Sequence, residues 1–433
     1  MRFLVALLLL WPLAVRAQSD GPIDLKMAAR CFQEAKWASD DDGGKLWGKP
    51  LYGPMLFADP QTREVVANQA DPDGKLVQKD GVWVGKLPAE VGIANTATRW
   101  AGLQWTMVMW PLPDAPAIRA QLMMHECWHR IQDEIGLPAA RQDNNHLDTK
   151  EGRIWLRLEW RALSAALISW GPERKQAIAD ALLFRTYRRS LFPLAATQED
   201  RMEIHEGMAE YTGVRLMGLG DWGRRSYLSG RIKVSALKPT YPLSFAYETG
   251  PAYGLLLDME DKPWRPGLKP GTSLSGLLQQ FEGVSLPSNL SASARERANA
   301  YDGKQVFAEE EKRDQDRKAK IAKYRKLLVD GPVLELPMIH NNYGYDPNQV
   351  FPLDDLGLLI PESYISDDWG VIEIKKGVLI GSKGGQAFVS APTSADGLQG
   401  DGWKLILKPG WKVVPGARKG DYKIARVPLS SGG

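Results

Sequence analysis

The chain has 433 residues, 44% of them hydrophobic and 25% charged, which is enough for two or three domains with sizeable cores and excludes disorder as the default state. Its net charge is only +3, and Arg2 and Arg16 fall in a segment expected to be removed; losing those two charges leaves +1, which excludes a nucleic-acid or anionic-lipid partner recruited by bulk charge. Two cysteines, Cys31 and Cys127, exclude a disulfide scaffold.

Residues 1–17 have the layout of a secretory signal: Arg2, an apolar run from Phe3 to Val15 interrupted by Pro12, and Val15-Arg16-Ala17 as a small-residue cleavage site. That run is too short to span a bilayer, and no later stretch reaches spanning length without charges. The expectation is an exported protein, in a bacterial periplasm or secreted, with no membrane span after signal removal.

Residues 18–113 are rich in Gly, Pro, Asp and Trp, with short apolar runs at Leu51 to Ala58, Glu64 to Ala67 and Val82 to Gly85, and are read as a β-rich part of strands and turns. The last run, Trp100 to Trp110, is aromatic, β-compatible and bounded by Pro111 and Pro113. It is predicted as one strand leading into a helix, with Asp114 as N-cap, Pro116 in the first turn, and Gly136 and Pro138 at the end.

That helix carries His125-Glu126-Cys127-Trp128-His129 in a chain with only five histidines. Two imidazoles four residues apart share a helix face and can hold one zinc ion, with Glu126 beside it to take a proton from water. Ile118 and Leu122 continue the histidine stripe, while Met124, Trp128, Ile131 and Ile135 make a second apolar stripe. Apolar on two sides, the helix belongs in the interior, at the floor of a cleft. Cys127 reads as a small buried residue, not half of a bridge.

Residues 138–198 look like a helical insertion, with a polar loop and helical patterns near Ile154 to Ser169 and Glu173 to Leu191. Asp143, Asn145, His146 and Asp148 could hold a second cation, but turn chemistry and helix capping explain them more simply, Asp148 with Glu151 resembling a capping box. A further helix is predicted from about Gln198 to Leu219, where Glu206 and Glu210 share a face. Its interior glycines, Gly207 and Gly213, each cost about 1 kcal/mol relative to Ala and point to close packing against another element. Pro251 to Met259 is read as helical. The helical region thus runs over 114–307, a charged helical connector over 308–330, and a separate β domain over 331–433, in which His340 is read as structural.

A hydrolytic zinc takes three protein ligands and keeps one position open. Glu206 is the preferred third ligand, because Glu210 one turn on can accept the spare N–H of a zinc-bound histidine. Glu159 has no acidic residue four positions on, and Glu151 is accounted for by capping. His205 competes, yet projects about 100° away from Glu206 around an α-helix.

The set His125-Glu-x-x-His129, Glu206-Gly-x-Ala-Glu210-Tyr211 and Tyr247-Glu-Thr-Gly250 resembles the gluzincin metallopeptidases, especially the branch of the aminopeptidases and leukotriene A4 hydrolase. The resemblance covers roughly residues 95–260. It implies an α+β protein with a zincin-like core, His125, His129 and Glu206 as zinc ligands, Glu126 as general base, Glu210 behind His125, and Tyr247 as a donor to the developing oxyanion. Thr249 stands where that branch has a lysine, the span from His129 to Glu206 is longer, and no Gly-x-Met-x-Asn exopeptidase motif precedes the helix.

The expected function is therefore a zinc-dependent metallopeptidase acting on a peptide or protein substrate. An envelope binding or assembly protein on the same scaffold, and a zinc hydrolase of a non-peptide substrate, are the alternatives. The strand Trp100 to Trp110 could pair with an extended peptide or be core sheet.

Overall fold

The computed structural model describes residues 23–427 except Arg141, Asp261, 346–349 and Asp354, so the expected signal segment at 1–17 lies outside the described residues. The chain is a mixed α+β protein that divides into two compact units, Met1–Phe307 and Ala308–Gly433.

The first unit opens on a helix, α1 (Leu25–Asp42), where the sequence reading expected strands and turns. Asp24 caps it by accepting from the amides of Lys26 and Met27, Gly43 closes it in the left-handed region, and Ala28, Cys31, Phe32 and Ala35 form its buried stripe. The surrounding Gly, Pro and Trp residues, averaged over the whole stretch, masked this local 3–4 spacing.

Six strands follow: β1 (Met55–Ala58), β2 (Glu64–Ala67), β3 (Val77–Lys79), β4 (Val82–Lys86), β5 (Thr96–Trp100) and β6 (Leu103–Met109). They form one mixed sheet in the order β3-β4-β2-β1-β6-β5, with only the β1–β6 pair parallel. The sheet is covered on both faces, which is why β1 is buried throughout: Met55 and Phe57 join the main core, and Leu56 and Ala58 a smaller cluster with Trp105 and Met107 on the other side. The single strand expected from Trp100 to Trp110 is the end of one strand and the whole of the next. Ala101 and Gly102 take positive φ and turn the chain, making β6 an interior strand and β5 the sheet edge.

Next come α2 (Pro116–Ile131), α3 (Lys150–Ile168), α4 (Gly171–Ser190) and α5 (Ala195–Met202). A π-helical turn, Glu203–Gly207, leads on into α6 (Met208–Arg215), and α7 (Asp221–Ser235), α8 (Ala246–Leu257), α9 (Leu274–Glu282), α10 (Leu290–Arg297) and α11 (Gly303–Arg325) complete the helices. The cap of α2 is Ala115, without a side-chain bond, and not Asp114. Arg119 secures this entry instead, donating to the carbonyls of Pro113 and Asp114 at 2.8 and 2.9 Å and gripping Glu34 of α1 through two nitrogens. The cap of α3 is Thr149, whose hydroxyl accepts from Gly152 N–H at 3.1 Å; Asp148 binds Arg153 and the Tyr241 amide, and Glu151 binds Trp155, so the expected capping box is absent. The stretch 138–198, expected as an insertion, supplies α3 and α4 to the core itself: Trp155, Leu158, Leu163 and Leu167 of α3 are fully buried in the main cluster.

In the second unit, twelve strands among the described residues form a seven-stranded and a five-stranded sheet over a core that includes Leu334, Ile365, Trp369, Ile372 and Trp403. The last turns of its leading helix are apolar, with Tyr324 and Leu328 packed against Leu353, Leu359 and Leu379. The middle is solvated and held by i,i+4 pairs such as Lys312–Asp316. No helix among the described residues is long and apolar enough to cross a membrane.

Candidate metal centre

Helix α2 lies between the sheet and α6, with Met123, Met124, Cys127 and Trp128 fully buried. Two glycines let its neighbours close in. A Cβ on Gly213 of α6 would sit 2.5 Å from the Gln121 carbonyl of α2, and one on Gly250 of α8 would sit 2.2 Å from Gly207 Cα. The π turn and α6 therefore approach α2 on one side and α8 on the other with almost no side chain between the backbones, and the carboxylates of Glu206 and Glu210 reach the histidines.

The structure brings His125, His129 and Glu206 together as the one group of potential metal ligands found among the described residues. Their facing atoms form a small triangle: His125 Nε2 to His129 Nε2 is 3.1 Å, His125 Nε2 to Glu206 Oε2 is 3.7 Å, and His129 Nε2 to Glu206 Oε2 is 3.6 Å. Ligand atoms on one zinc ion, at bonds of about 2.0–2.2 Å and tetrahedral angles, lie about 3.3–3.5 Å apart, so this donor set fits a zinc ion with a fourth position left over. The 76 residues of chain between His129 and Glu206, too long to read through, are spanned by α3, α4 and α5.

Each histidine is aimed by its other nitrogen. Glu210 Oε2 accepts from His125 Nδ1 at 2.8 Å, and Gln132 Oε1 accepts from His129 Nδ1 at 3.3 Å, so both Nε2 atoms face the centre. Burial lowers the pKa of His125, but Glu206 and Glu210 outweigh it and raise it to about 10 in the metal-free site. Burial pushes Glu210 up, yet Arg231 and His125 hold it down at about 2. Burial pushes Glu206 up, yet the facing imidazoles of His125 and His129 hold it well below the carboxylate range.

Glu126 is 1% exposed, and neither of its oxygens has a hydrogen-bond partner; Oε1 lies 3.9 Å from His125 Nε2. Burial raises its pKa against the opposing pull of His125 and His129. Tyr247 is part of α8, not of a loop. Its ring stacks on His125 at 5.5 Å between centroids, and its hydroxyl donates to Glu206 Oε2, the oxygen that faces both histidines. Burial and the Glu206 charge hold that hydroxyl protonated, with its pKa well above the usual tyrosine value.

The competing ligands go elsewhere. Glu159 binds Arg185, Arg188 and Tyr253, His146 binds Glu199 at 2.8 Å, and His340 lies in the second unit beside Asp368. His205 does not point away as an α-helix would have it. In the π turn its Nε2 lies 3.2 Å from Glu206 Oε1 and its Nδ1 3.1 Å from Gln132 Oε1, and with His129 it forms the partly exposed rim of the centre. Burial and the two other histidines hold its pKa down at about 4 against Glu206. The sequence reading missed Gln121, Gln132 and Arg231. Gln121 and Gln132 flank the motif at one helical turn from His125 and at one turn from His129, the only signal that pointed to them.

Comparisons with protein-family models, with curated proteins and with solved structures give no match to this chain.

Proposed function

We propose that the chain is an exported zinc metallohydrolase of gluzincin type, with a zincin-like core, that hydrolyses peptide bonds. The observation that carries this reading is the contrast inside one site: three ligand atoms in a triangle of zinc dimensions, beside a buried carboxylate, Glu126, that accepts no hydrogen bond at either oxygen. A site built only for structure closes on a fourth ligand and has no use for such a group.

His125, His129 and Glu206 would hold the ion, which when bound supplies Lewis acidity to activate water and polarise a carbonyl. Glu126 accepts the proton of the attacking water and passes it to the leaving amine; its burial, which raises its pKa, makes it a stronger acceptor. Glu210 and Gln132 keep the imidazoles in the required tautomer. Tyr247, a protonated donor at the centre, hydrogen-bonds the developing oxyanion on leaving Glu206. The free edge of β5, beside α2, gives an extended peptide a strand to pair with.

The test is to measure the zinc content of the purified protein, then incubate it with a diverse peptide mixture with and without a chelator and read cleavage by mass spectrometry. One zinc per chain and chelator-sensitive cleavage are expected. Zinc without cleavage would turn the reading toward a non-peptide substrate or an assembly role, and a protein that takes up no zinc would overturn it.

A further inference from the structure

We infer that Arg231 is a positioning residue of the metal centre, locking the carboxylate that aims His125 to the helix turn that carries Tyr247. The inference rests on the zinc reading of His125, His129 and Glu206.

Arg231 belongs to α7, which contributes none of the sequence motifs. Its side chain is 17% exposed, and each of its three nitrogens donates to a different group: Nη1 to Glu210 Oε1, Nη2 to the Tyr247 carbonyl, and Nε to Glu248 Oε2 at 3.0 Å. Glu210 presents its other oxygen to His125 Nδ1, so Arg231 fixes the far side of the carboxylate that sets the imidazole. A planar, rigid fork suits this task better than any other side chain.

The second contact follows from a proline. In an α-helix the Tyr247 carbonyl would accept from the amide of residue 251, but residue 251 is Pro, inside α8, which has no N–H and whose ring crowds that carbonyl. The carbonyl of Tyr247 is thereby left to an outside donor, and Arg231 supplies it. Pro251 makes the acceptor, Arg231 reads it, and the two together set where the first turn of α8 places the Tyr247 ring against His125.

Neighbouring turns of α7 support the arrangement. Tyr227, one turn before, donates to Gln121 Oε1 at 2.9 Å, and Gln121 in turn donates to Glu210 Oε1. Ser235, one turn after, donates to Glu248 Oε1 at 2.6 Å and so holds the carboxylate that pins Arg231 Nε. One face of α7 thus braces α2, α6 and α8 at the centre.

The test compares the full-length wild type with Arg231→Gln, Arg231→Lys and Pro251→Ala. Zinc affinity is read by competition with a chromophoric chelator, and the ligand field by visible absorption of the cobalt-substituted protein. Arg231→Gln is expected to weaken zinc about 10–100-fold and to shift the cobalt bands. Arg231→Lys, which keeps the charge but loses the fork, should weaken zinc less and still shift the bands. Pro251→Ala, which returns an N–H to compete for the Tyr247 carbonyl, should shift the bands with little loss of affinity. Arg297→Gln, whose guanidinium joins α10 to the buried Asp180 of α4, serves as control: it should lower thermal stability and leave the folded protein's zinc affinity and spectrum unchanged. Wild-type affinity and spectrum in Arg231→Gln overturn the inference, and if that variant does not fold, wild-type values in Arg231→Lys overturn it equally. Failure of the wild type itself to bind zinc, or zinc binding that survives His129→Ala, would instead defeat the metal reading on which the inference rests.

Discussion

Two buried charge networks lie in the first unit, and they are finished differently. In one, Glu159, Glu199 and Glu203 meet Arg185, Arg188 and Arg189, and every carboxylate oxygen of the three glutamates has a donor: Arg185 Nε and Tyr253 on Glu159 Oε1, Arg188 on its Oε2, Arg188 and His146 on Glu199 Oε1, Arg188 and Arg189 on its Oε2, and Arg185 on both oxygens of Glu203. In the other, His125, Glu206 and Glu210 are also buried, yet Glu126 accepts no hydrogen bond at either oxygen and the three potential ligand atoms of His125, His129 and Glu206 converge. Removing charges from water costs several kcal/mol per ion, so a network that serves stability must satisfy each of them. On the function proposed above, Glu126 carries that cost in order to take a proton from the water that the site activates.

The contrast is sharpest in activity. Glu126→Gln should reduce peptide hydrolysis by about 10²–10⁴-fold while zinc content stays at the wild-type level, the loss expected when a general base is removed; full activity in this variant would sink the mechanism. On the saturated side, Glu159→Leu should lower the unfolding free energy by about 3–5 kcal/mol in a denaturant titration, because the buried cluster of Arg185, Arg188 and Arg189 is left with one carboxylate too few. A loss under 1 kcal/mol would show that the cluster is not what holds α3 to α4.

A third prediction concerns protons. With its pKa raised to about 10, His125 is protonated in the metal-free site at neutral pH, and zinc must displace that proton. Zinc uptake at pH 7 should therefore release a proton, and affinity should climb by about tenfold per pH unit between pH 6 and 8, measured by calorimetry in buffers of different ionisation enthalpy. A pH-independent affinity would contradict it. The smallest effect runs against intuition: Glu126→Leu should raise the stability of the metal-free protein by about 1–3 kcal/mol, since it removes a buried carboxylate that no hydrogen bond satisfies. Destabilisation by that change would mean that Glu126 has structural work after all.

Much of the centre was legible because it is written in helical spacing. His125 and His129, Glu206 and Glu210 stand four apart, and Gly207 and Gly213 announced the close approach that the Gly207–Gly250 and Gly213–Gln121 contacts provide. Elsewhere a local rule lost to its surroundings. Asp114 looked like a cap, but the helix starts from Ala115 and Arg119 fixes the entry through the carbonyls of Pro113 and Asp114; Asp148 looked like another, but Thr149 was better placed; and α1 was hidden in a composition that suggests strands. The edge strand was displaced by one hairpin, because two positive-φ residues, Ala101 and Gly102, turn a stretch whose composition is uniform.

By itself the sequence determined which residues could face one another within a helix, since a period of 3.6 residues is a local property of the backbone. It thereby determined the imidazole pair, the carboxylate of Glu126 between them, the carboxylate pair, and the mixed α+β character of the chain. Only the tertiary structure decided what crosses between helices: that Glu206 rather than Glu159 meets the histidines, that a π turn swings His205 to the rim, and that Arg231 answers the carbonyl freed by Pro251. Such contacts join residues separated by as much as 106 positions, as Gln121 and Tyr227 are, and no local periodicity carries information over such a span. The closeness of two backbones at glycines, not any pattern along the chain, brings them within reach.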